Sequence, residues 1–222
     1  MSDTSSSHRA RLLDAATQLG LVLSDSEADQ LLAYLALLQR WNGTYNLTAV
    51  RDPDRMLSQH VFDCLAVMAP LRRHLAGTAA PQRLLDVGSG GGLPGVVIAI
   101  LNPAIDVSCV DTVGKKAAFV QQVAASLRLR NLHSQHARVE QLKVPPFDII
   151  TSRAFASLAD FVGLTRTLLA EGGAWLAMKG KSPADEVNAL PPDINVFHVE
   201  QLQVPDLEAE RCLVWLCPKP SL

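Results

Sequence analysis

The sequence predicts an α/β fold in which a doubly wound, mostly parallel sheet follows an all-helical N-terminal segment. Up to about residue 75, apolar residues recur at three- and four-residue intervals, the period of amphipathic helices. From residue 83 onward, short apolar runs alternate with helical stretches, which favours parallel strands with helices on both faces. We therefore expect a helical region over residues 1–75 and an α/β domain over residues 76–222, packed as one compact unit.

The N-terminal segment carries clear helix signals. Ser24 and Glu27 have the spacing of a capping box, in which each side chain satisfies a free backbone amide at a helix start. An apolar stripe follows as far as Asn42–Gly43, where we expect this helix to end. A second helix is expected from Pro53 to about Met68.

Seven apolar runs in the remainder predict seven strands. Helices are expected between them, beginning near Pro94, Gly114 and Ser157. The last two runs are close in sequence and are expected to pair as an antiparallel hairpin at the sheet edge. The predicted strands lie in RLLDVG, DVSCVDT, LHSQHARVE, FDIITSRAF, GGAWLAMKG, FHVEQLQV and ERCLVWLCP.

Composition excludes several classes of protein. With 48% hydrophobic and 19% charged residues, the 222-residue chain has the balance of an ordered globular protein. Its first residues lack the features of a secretory signal and no apolar run reaches membrane-spanning length, so we expect a cytoplasmic protein with no membrane partner. Neither a disulfide framework nor a metal site is expected, because the four cysteines are scattered without a CxxC pair.

Charge is distributed unevenly along the chain. The net charge of −2 argues weakly against a nucleic-acid partner, because Lys and Arg dominate phosphate binding. However, residues 112–139 contain five basic residues and no acid, whereas residues 182–210 contain seven acids and no Lys or Arg. A basic face can therefore exist on this mildly acidic protein.

The segment DVGSGGGLPG follows the first predicted strand, where a doubly wound sheet binds a nucleotide-like ligand. A dinucleotide fingerprint would place its third glycine at residue 93, which is Leu93, so the spacing is G-x-G-x-G. Asp86, two residues before Gly88, would repel phosphates but suits the ammonium of a methionyl group. The ligand that joins an adenosine to an amino acid is S-adenosylmethionine, which we expect to contact Gly88, Gly90 and Gly92.

Asp111 ends the second predicted strand, 19 residues beyond Gly92. At this distance a carboxylate can accept hydrogen bonds from both ribose hydroxyls of an adenosine. Asp111 would serve NAD equally well, and the alternative role is a cap for the following helix. The glycine cluster, likewise, has the alternative role of a simple tight turn.

The loop after the fourth predicted strand reads TSRAFAS and is expected to face the methyl acceptor. It lacks the Asn/Asp-Pro-Pro-aromatic element that would hold an exocyclic base amine, and it has no Cys to attack a pyrimidine. Guanine N7 needs neither, because it carries an in-plane lone pair and no proton. Arg153 is the candidate for positioning the acceptor. Its alternative role is a structural ion pair with Asp86 or Asp111.

Other polar residues are candidates for RNA contacts or for packing. His60 lies on the second predicted helix and either reaches over the glycine loop or packs in the core. The basic candidates for RNA binding have a solvated surface as their alternative role. They are Lys115, Lys116, Arg128, Arg130, Lys179 and Lys181.

Several separate motifs together resemble those of the RsmG (GidB) family of small-subunit ribosomal RNA guanine-N7 methyltransferases. The likeness runs from about residue 25 to residue 217, nearly the whole chain. The motifs are RWNGTYNLTAVRDPDRMLSQHVFD, LLDVGSGGGLPGVVIAI, DTVGKKAAFVQQV, FDIITSRAFASL, LAMKGKSPADEV and LQVPDLEAERCLV.

The resemblance implies a Rossmann-like class I methyltransferase with a seven-stranded, mostly parallel sheet and an N-terminal helical extension. It implies S-adenosylmethionine as cofactor, 16S ribosomal RNA or the small subunit as partner, and 7-methylguanosine as product. The cofactor positions that it implies are Gly88, Leu93, Val139, Glu140 and Arg153, with Val139 and Glu140 as contacts of the adenine.

Three other functions remain open from the residues alone. A small-molecule methyltransferase would keep the cofactor, but its activity would not fall steeply with salt. A nicotinamide-dependent oxidoreductase is disfavoured by Leu93 at the glycine position. A non-catalytic RNA-binding or assembly protein is disfavoured by the intact cofactor positions.

Overall fold

The computed structural model describes residues 3–76, 82–181 and 183–220. Residues 77–81 follow the predicted boundary between the helical region and the α/β domain, and they lie outside the described residues, as do Met1, Ser2, Ser182 and the last two residues. The division at residue 75 thus stays a prediction.

The chain begins with α1 (Asp3–Gln18) and α2 (Asp25–Tyr45). The capping box of α2 is confirmed, because Ser24 and Glu27 each accept the backbone N–H of the other. The predicted end at Asn42–Gly43 is wrong, since α2 continues to Tyr45. The reason is that the buried Asn42 side chain bonds to the next segment, accepting from the Thr48 amide and donating to the Val50 carbonyl.

The predicted second helix is broken into short pieces. α3 (Pro53–Met56) leads into a π-helical turn (Leu57–Phe62), followed by α4 (Asp63–Leu65) and α5 (Met68–Leu75). π-Helical turns are rare and occur frequently at functional sites. Here the turn carries His60 and leads directly into Asp63, both of which are buried.

Seven strands form one sheet in the order β3-β2-β1-β4-β5-β7-β6. Among the strands of the described residues, only β7 runs against the others, since it pairs antiparallel with both β5 and β6. The predicted hairpin is confirmed, although of its two strands β6 alone lies at an edge of the sheet. The strands are β1 (Gln82–Val87), β2 (Ile105–Asp111), β3 (Leu132–His136), β4 (Phe147–Arg153), β5 (Leu169–Lys179), β6 (Ile194–Leu202) and β7 (Arg211–Pro218).

Helices cover both faces of the sheet. The helices α6 (Gly95–Leu101) and α7 (Gly114–Leu127) cover one face and share a continuous hydrophobic core with the N-terminal helices. On the other face, α8 (Leu158–Thr165) and its following 3-10 turn pack over β4, β5 and β7, with α9 (Ala184–Asn188) beside them. At the carboxyl ends of the strands, the N-terminal helices contact the turn after β1 and the end of β4.

Candidate functional site

The segment after β1 makes a tight turn of left-handed glycines. Gly88, Gly90 and Gly92 have φ values of +66°, +58° and +83°, a region that side chains disfavour. A Cβ at Gly92 would lie 2.4 Å from Val96 Cγ2, whereas one at Gly88 would meet no atom within 4 Å. Glycine is thus needed at residue 92 for packing, and at residue 88 it leaves the backbone open to a ligand.

Asp86 lies beneath this turn. Its side chain is fully buried, and Oδ2 accepts the Gly95 N–H at 2.8 Å at the start of α6. Oδ1 has no hydrogen-bond partner in the described part of the chain. Burial raises the pKa of this carboxyl to about 7. This position holds the turn against α6, and Asp86 lines neither of the two cavities described below. The expected contact of Asp86 with a ligand's ammonium stays a prediction.

Asp111 joins the carboxyl end of β2 to the glycine turn. Its Oδ2 accepts the Gly90 N–H at 2.9 Å and its Oδ1 accepts the Val113 N–H at 2.8 Å. The second bond lies just before α7, so the capping role is also present. Lys116 Nζ lies 4.0 Å from Asp111 Oδ2. Asp111 is thereby fixed in orientation while one edge still faces a cavity.

Two cavities meet at Gly88, each within the usual size range of small-ligand sites. One, of about 390 Å³, is lined by the glycine turn and by the end of β4, and we call it the loop cavity. The other, of about 420 Å³, lies beside Asp111, and we call it the Asp111 cavity. Together they can hold an elongated ligand that passes over Gly88.

The Asp111 cavity contains the residues that the resemblance implies for an adenine. Val139 and Glu140 line it from a 3-10 turn after β3, together with Phe155 and Leu164. Val139 is buried and apolar. The Glu140 side chain is partly exposed, and its Oε1 lies 3.9 Å from Arg138 Nη1. An apolar wall next to a fixed carboxylate suits a nucleoside, because the base can pack while the ribose hydroxyls donate.

In the loop cavity, Arg153 forms a structural ion pair, the alternative role that the sequence offered, but with a partner that the sequence did not predict. Its Nη1 donates to Asp63 Oδ2 at 3.1 Å and to the Gln59 carbonyl at 3.1 Å. Asp63 Oδ1 accepts from Arg211 Nε at 2.8 Å. The partner is thus neither Asp86 nor Asp111, and both arginines line the cavity along with Asp63. Two guanidinium groups share one buried carboxylate, so this ion-pair cluster carries a net charge of +1 in the described part of the chain.

Ala154 and Lys179 complete this wall. Ala154 has φ +62°, an unusual value for a residue with a Cβ, and turns the chain away directly after Arg153. Lys179 lines the cavity with its Nζ bonded to Glu186 Oε2 at 2.7 Å and to the Phe155 carbonyl at 3.3 Å. Lys181, in contrast, is exposed at the surface beyond β5.

His60 is a packed, neutral histidine. Its Nδ1 lies 3.0 Å from the Gln59 carbonyl and its Nε2 lies 2.8 Å from Thr48 Oγ1. The first contact requires a proton on Nδ1, so Nε2 accepts from the threonine. Burial, with the nearby charge of Arg153, lowers the pKa of His60 to about 4. Thr48 lines the loop cavity and His60 supports it from behind.

The basic residues singled out for RNA contacts are not brought together. Lys115 is exposed on the first turn of α7, and Lys116 faces Asp111. Arg128 and Arg130 follow the other end of the 14-residue helix, about 21 Å away at 1.5 Å per residue. They line a separate groove beside Ser24 and Glu27, near the amino ends of the strands.

Asp63, Arg211 and Tyr34 are site residues that the sequence reasoning missed. Asp63 and Arg211 lie inside motifs quoted for the family resemblance, but no local spacing relates them to the glycine turn. The Tyr34 hydroxyl donates to the Gly91 carbonyl at 2.6 Å. Within the described ranges, no group of three or more His, Cys, Asp or Glu residues could hold a metal ion, and no helix is long and apolar enough to cross a membrane.

The chain matches a known family and known relatives over almost its whole length. The profile of the family GidB, described as rRNA small subunit methyltransferase G, matches residues 27–214. A protein of Leptothrix cholodnii named Ribosomal RNA small subunit methyltransferase G is 65% identical, covering 95% of this chain and 96% of that protein. One of the same name from Acidovorax sp. is 60% identical, with 98% of each chain covered.

Solved structures share the fold at much lower sequence identity. The N-methyltransferase NodS of Bradyrhizobium japonicum has a TM-score of 0.55 at 14% identity, covering 72% of this chain and 98% of that one. TrmN of Thermus thermophilus has a TM-score of 0.54 at 21% identity, covering 74% of this chain and 53% of that one. The predicted class I methyltransferase fold with a seven-stranded, mostly parallel sheet is confirmed.

The buried Asp86 makes stability depend on pH. The carboxyl titrates near its ordinary value of 3.8 when unfolded and near 7 when folded, so the folded protein binds the proton more tightly. Stability therefore declines as pH rises between these values.

Asp86→Asn mimics the protonated carboxyl. We expect the melting temperature of the wild type, measured relative to Asp86→Asn, to fall from about pH 4 to about pH 7. A constant difference across this range would contradict the assignment.

Proposed function

Because this chain belongs to the GidB family of ribosomal RNA small subunit methyltransferases, we propose that it methylates N7 of a guanine in 16S ribosomal RNA. The protein is an S-adenosylmethionine-dependent rRNA methyltransferase. The observation that carries the proposal is a pair of cavities that share Gly88 as a lining residue, one with a fixed carboxylate at Asp111 and the other with a cationic wall at Arg153.

The residues present fit the cofactor. We assign the ribose hydroxyls to Asp111 and the adenine to Val139 and Glu140 in the Asp111 cavity. The amino-acid end then lies in the loop cavity against Gly88, Gly90, Leu93 and Arg153. Gly92 shapes the turn through its packing against Val96. Asp86 holds the turn from below through the Gly95 amide.

S-Adenosylmethionine supplies a methyl group already activated on a positively charged sulfur. Guanine N7 has a free lone pair, so the protein need not remove a proton. This fits the loop cavity, where His60 is held neutral behind Thr48 and does not line the cavity. The chain's task is to orient the acceptor and exclude water. Holding the acceptor beside the methyl group raises its effective concentration and therefore the reaction rate.

The cationic wall suits a polyanionic acceptor. Arg153 and Arg211 carry one more positive charge than Asp63 neutralises, and Lys179 is already paired with Glu186. An RNA phosphate or the guanine O6 edge can therefore be drawn to this side of the loop cavity. Lys115 and Lys181 are exposed near the carboxyl ends of the strands and are the surface residues best placed for further contacts with the RNA backbone. Arg128 and Arg130 would contact only RNA that reaches the amino ends of the strands.

The substrate also indicates where the protein works. Its relatives are named for ribosomal RNA, and bacterial ribosomes assemble in the cytoplasm, where we propose that this protein acts.

Product analysis tests the function directly. Purified protein is incubated with labelled S-adenosylmethionine and either 16S RNA or small-subunit particles, and the modified nucleoside is identified by mass. We expect 7-methylguanosine, with kcat/KM falling steeply as salt rises because RNA binding releases counterions. Another methylated nucleoside would overturn the N7 proposal. Methylation of the RNA with a kcat/KM that is insensitive to salt would contradict an acceptor held through its phosphates.

Asp111 can be tested against a second aspartate of the same strand. Asp111→Asn weakens its ribose-accepting edge, and we expect the Kd for S-adenosylmethionine to rise at least about tenfold, or roughly 1.4 kcal/mol. Asp106→Asn is the matched control, because Asp106 lies near the amino end of β2 and pairs with His133 and Arg83. Isothermal titration gives both affinities. Equal values for Asp111→Asn and the wild type would remove the ribose assignment.

Arg153 can be tested by a change that keeps its charge. Arg153→Lys cannot bond Asp63, the Gln59 carbonyl and a ligand together, because lysine lacks the planar fork. We expect methylation of small-subunit RNA to fall at least about a hundredfold. Arg166→Lys, at an exposed ion pair with Asp193, is the control and should retain activity. Wild-type turnover in Arg153→Lys would contradict the positioning role.

A further inference from the structure

The N-terminal helix α2 contacts the glycine turn directly. Tyr34 is fully buried on this helix, and its hydroxyl donates to the Gly91 carbonyl at 2.6 Å, across 57 positions of sequence. Leu38, one turn later on α2, lies so close that a Cβ at Gly91 would stand 3.0 Å from Leu38 Cδ1. The helix therefore supports the turn both by a hydrogen bond and by packing.

The position of Gly91 makes this support consequential. It lies between Gly90 and Gly92, both left-handed, so the local backbone has unusual conformational freedom. The turn is otherwise anchored to the sheet at neighbouring positions: Gly88 and Ser89 donate to the Val110 carbonyl, and Gly90 donates to Asp111. Tyr34 supplies the hydrogen bond at Gly91 from the opposite side, through a separate part of the chain.

Tyr34 is a dependable donor in this environment. Burial raises the pKa of its hydroxyl well above the ordinary value, so the hydroxyl stays protonated throughout the physiological range. Without it, the Gly91 carbonyl would be a buried acceptor with its partner removed, a costly arrangement that the flexible turn would relieve by moving.

We propose that Tyr34 is a positioning residue for cofactor binding, which fixes the Gly91 segment so that the loop cavity fits the amino-acid end of S-adenosylmethionine. The inference rests on the cofactor assignment made above. The expected effect on binding is selective, because Gly91 and Leu38 line the loop cavity and neither lines the Asp111 cavity. Loss of the Tyr34 hydroxyl should thus affect the amino-acid end of the ligand and spare the nucleoside end.

Two ligands separate positioning from general stability. S-Adenosylmethionine occupies both cavities, whereas 5′-methylthioadenosine lacks the amino-acid part. We expect Tyr34→Phe to raise the Kd and the KM for S-adenosylmethionine at least about fivefold, since one buried acceptor loses its partner. Its kcat at saturating cofactor and its Kd for 5′-methylthioadenosine should stay within about twofold of the wild type.

The chain offers a matched control in its other tyrosine. Tyr45 lies on the same helix but is partly exposed and packs its ring against Trp41. Tyr45→Phe removes the same atom and should leave both affinities unchanged. Unchanged affinity of Tyr34→Phe for S-adenosylmethionine would overturn the inference. An equal loss for both ligands, together with a lower melting temperature, would also overturn it, because the residue would then act on stability alone.

A measurement on the natural sequence covers the case in which Tyr34→Phe does not fold. The chain has two tyrosines, so protein labelled with 3-fluorotyrosine gives two fluorine signals, which Tyr45→Phe assigns. We expect the Tyr34 signal to shift with S-adenosylmethionine and to stay in place with 5′-methylthioadenosine. A Tyr34 signal that ignores S-adenosylmethionine would refute the role of Tyr34. Wild-type protein that binds neither ligand would instead refute the cofactor assignment itself.

Discussion

The site depends on a short backbone turn that has little ability to hold its own shape. Three left-handed glycines between Gly88 and Gly92 open the backbone to a ligand, but the same freedom makes one conformation entropically costly. The turn is therefore fixed from outside by three side chains on different elements. Asp111 holds the Gly90 amide, Asp86 holds the start of α6 beneath the turn, and Tyr34 holds the Gly91 carbonyl.

A buried carboxylate organises the opposite wall of the loop cavity. Asp63 binds both Arg153 and Arg211, which come from β4 and β7, and thereby ties the N-terminal helices to the sheet. Moving either arginine away would leave the buried Asp63 carboxylate without one of its partners, which is strongly destabilising. Both arginines are therefore held in place. This cluster lines the loop cavity, where we propose that an RNA phosphate or guanine edge binds. The N-terminal helices thus contribute to both walls.

Much of the fold follows from local sequence patterns. The strands, the glycine turn and the capping box at Ser24 each depend on residues close together in the chain, and the structure confirms them. The predicted end of α2 at Asn42–Gly43 is wrong because the Asn42 side chain bonds to the segment after the helix. The predicted helix from Pro53 was interrupted because a π-helical turn places His60 and Asp63 in the interior.

The sequence by itself determined the sheet, the position of the glycine turn and the carboxylate at the end of β2, because strand alternation and glycine spacing are short-range signals. Only the tertiary structure decided that Arg153 pairs with Asp63, that Asp86 lies under the turn, and that Arg128 and Arg130 are far from the cavities. These relations join residues up to 90 positions apart, and a buried charge takes whichever partner the packing brings near.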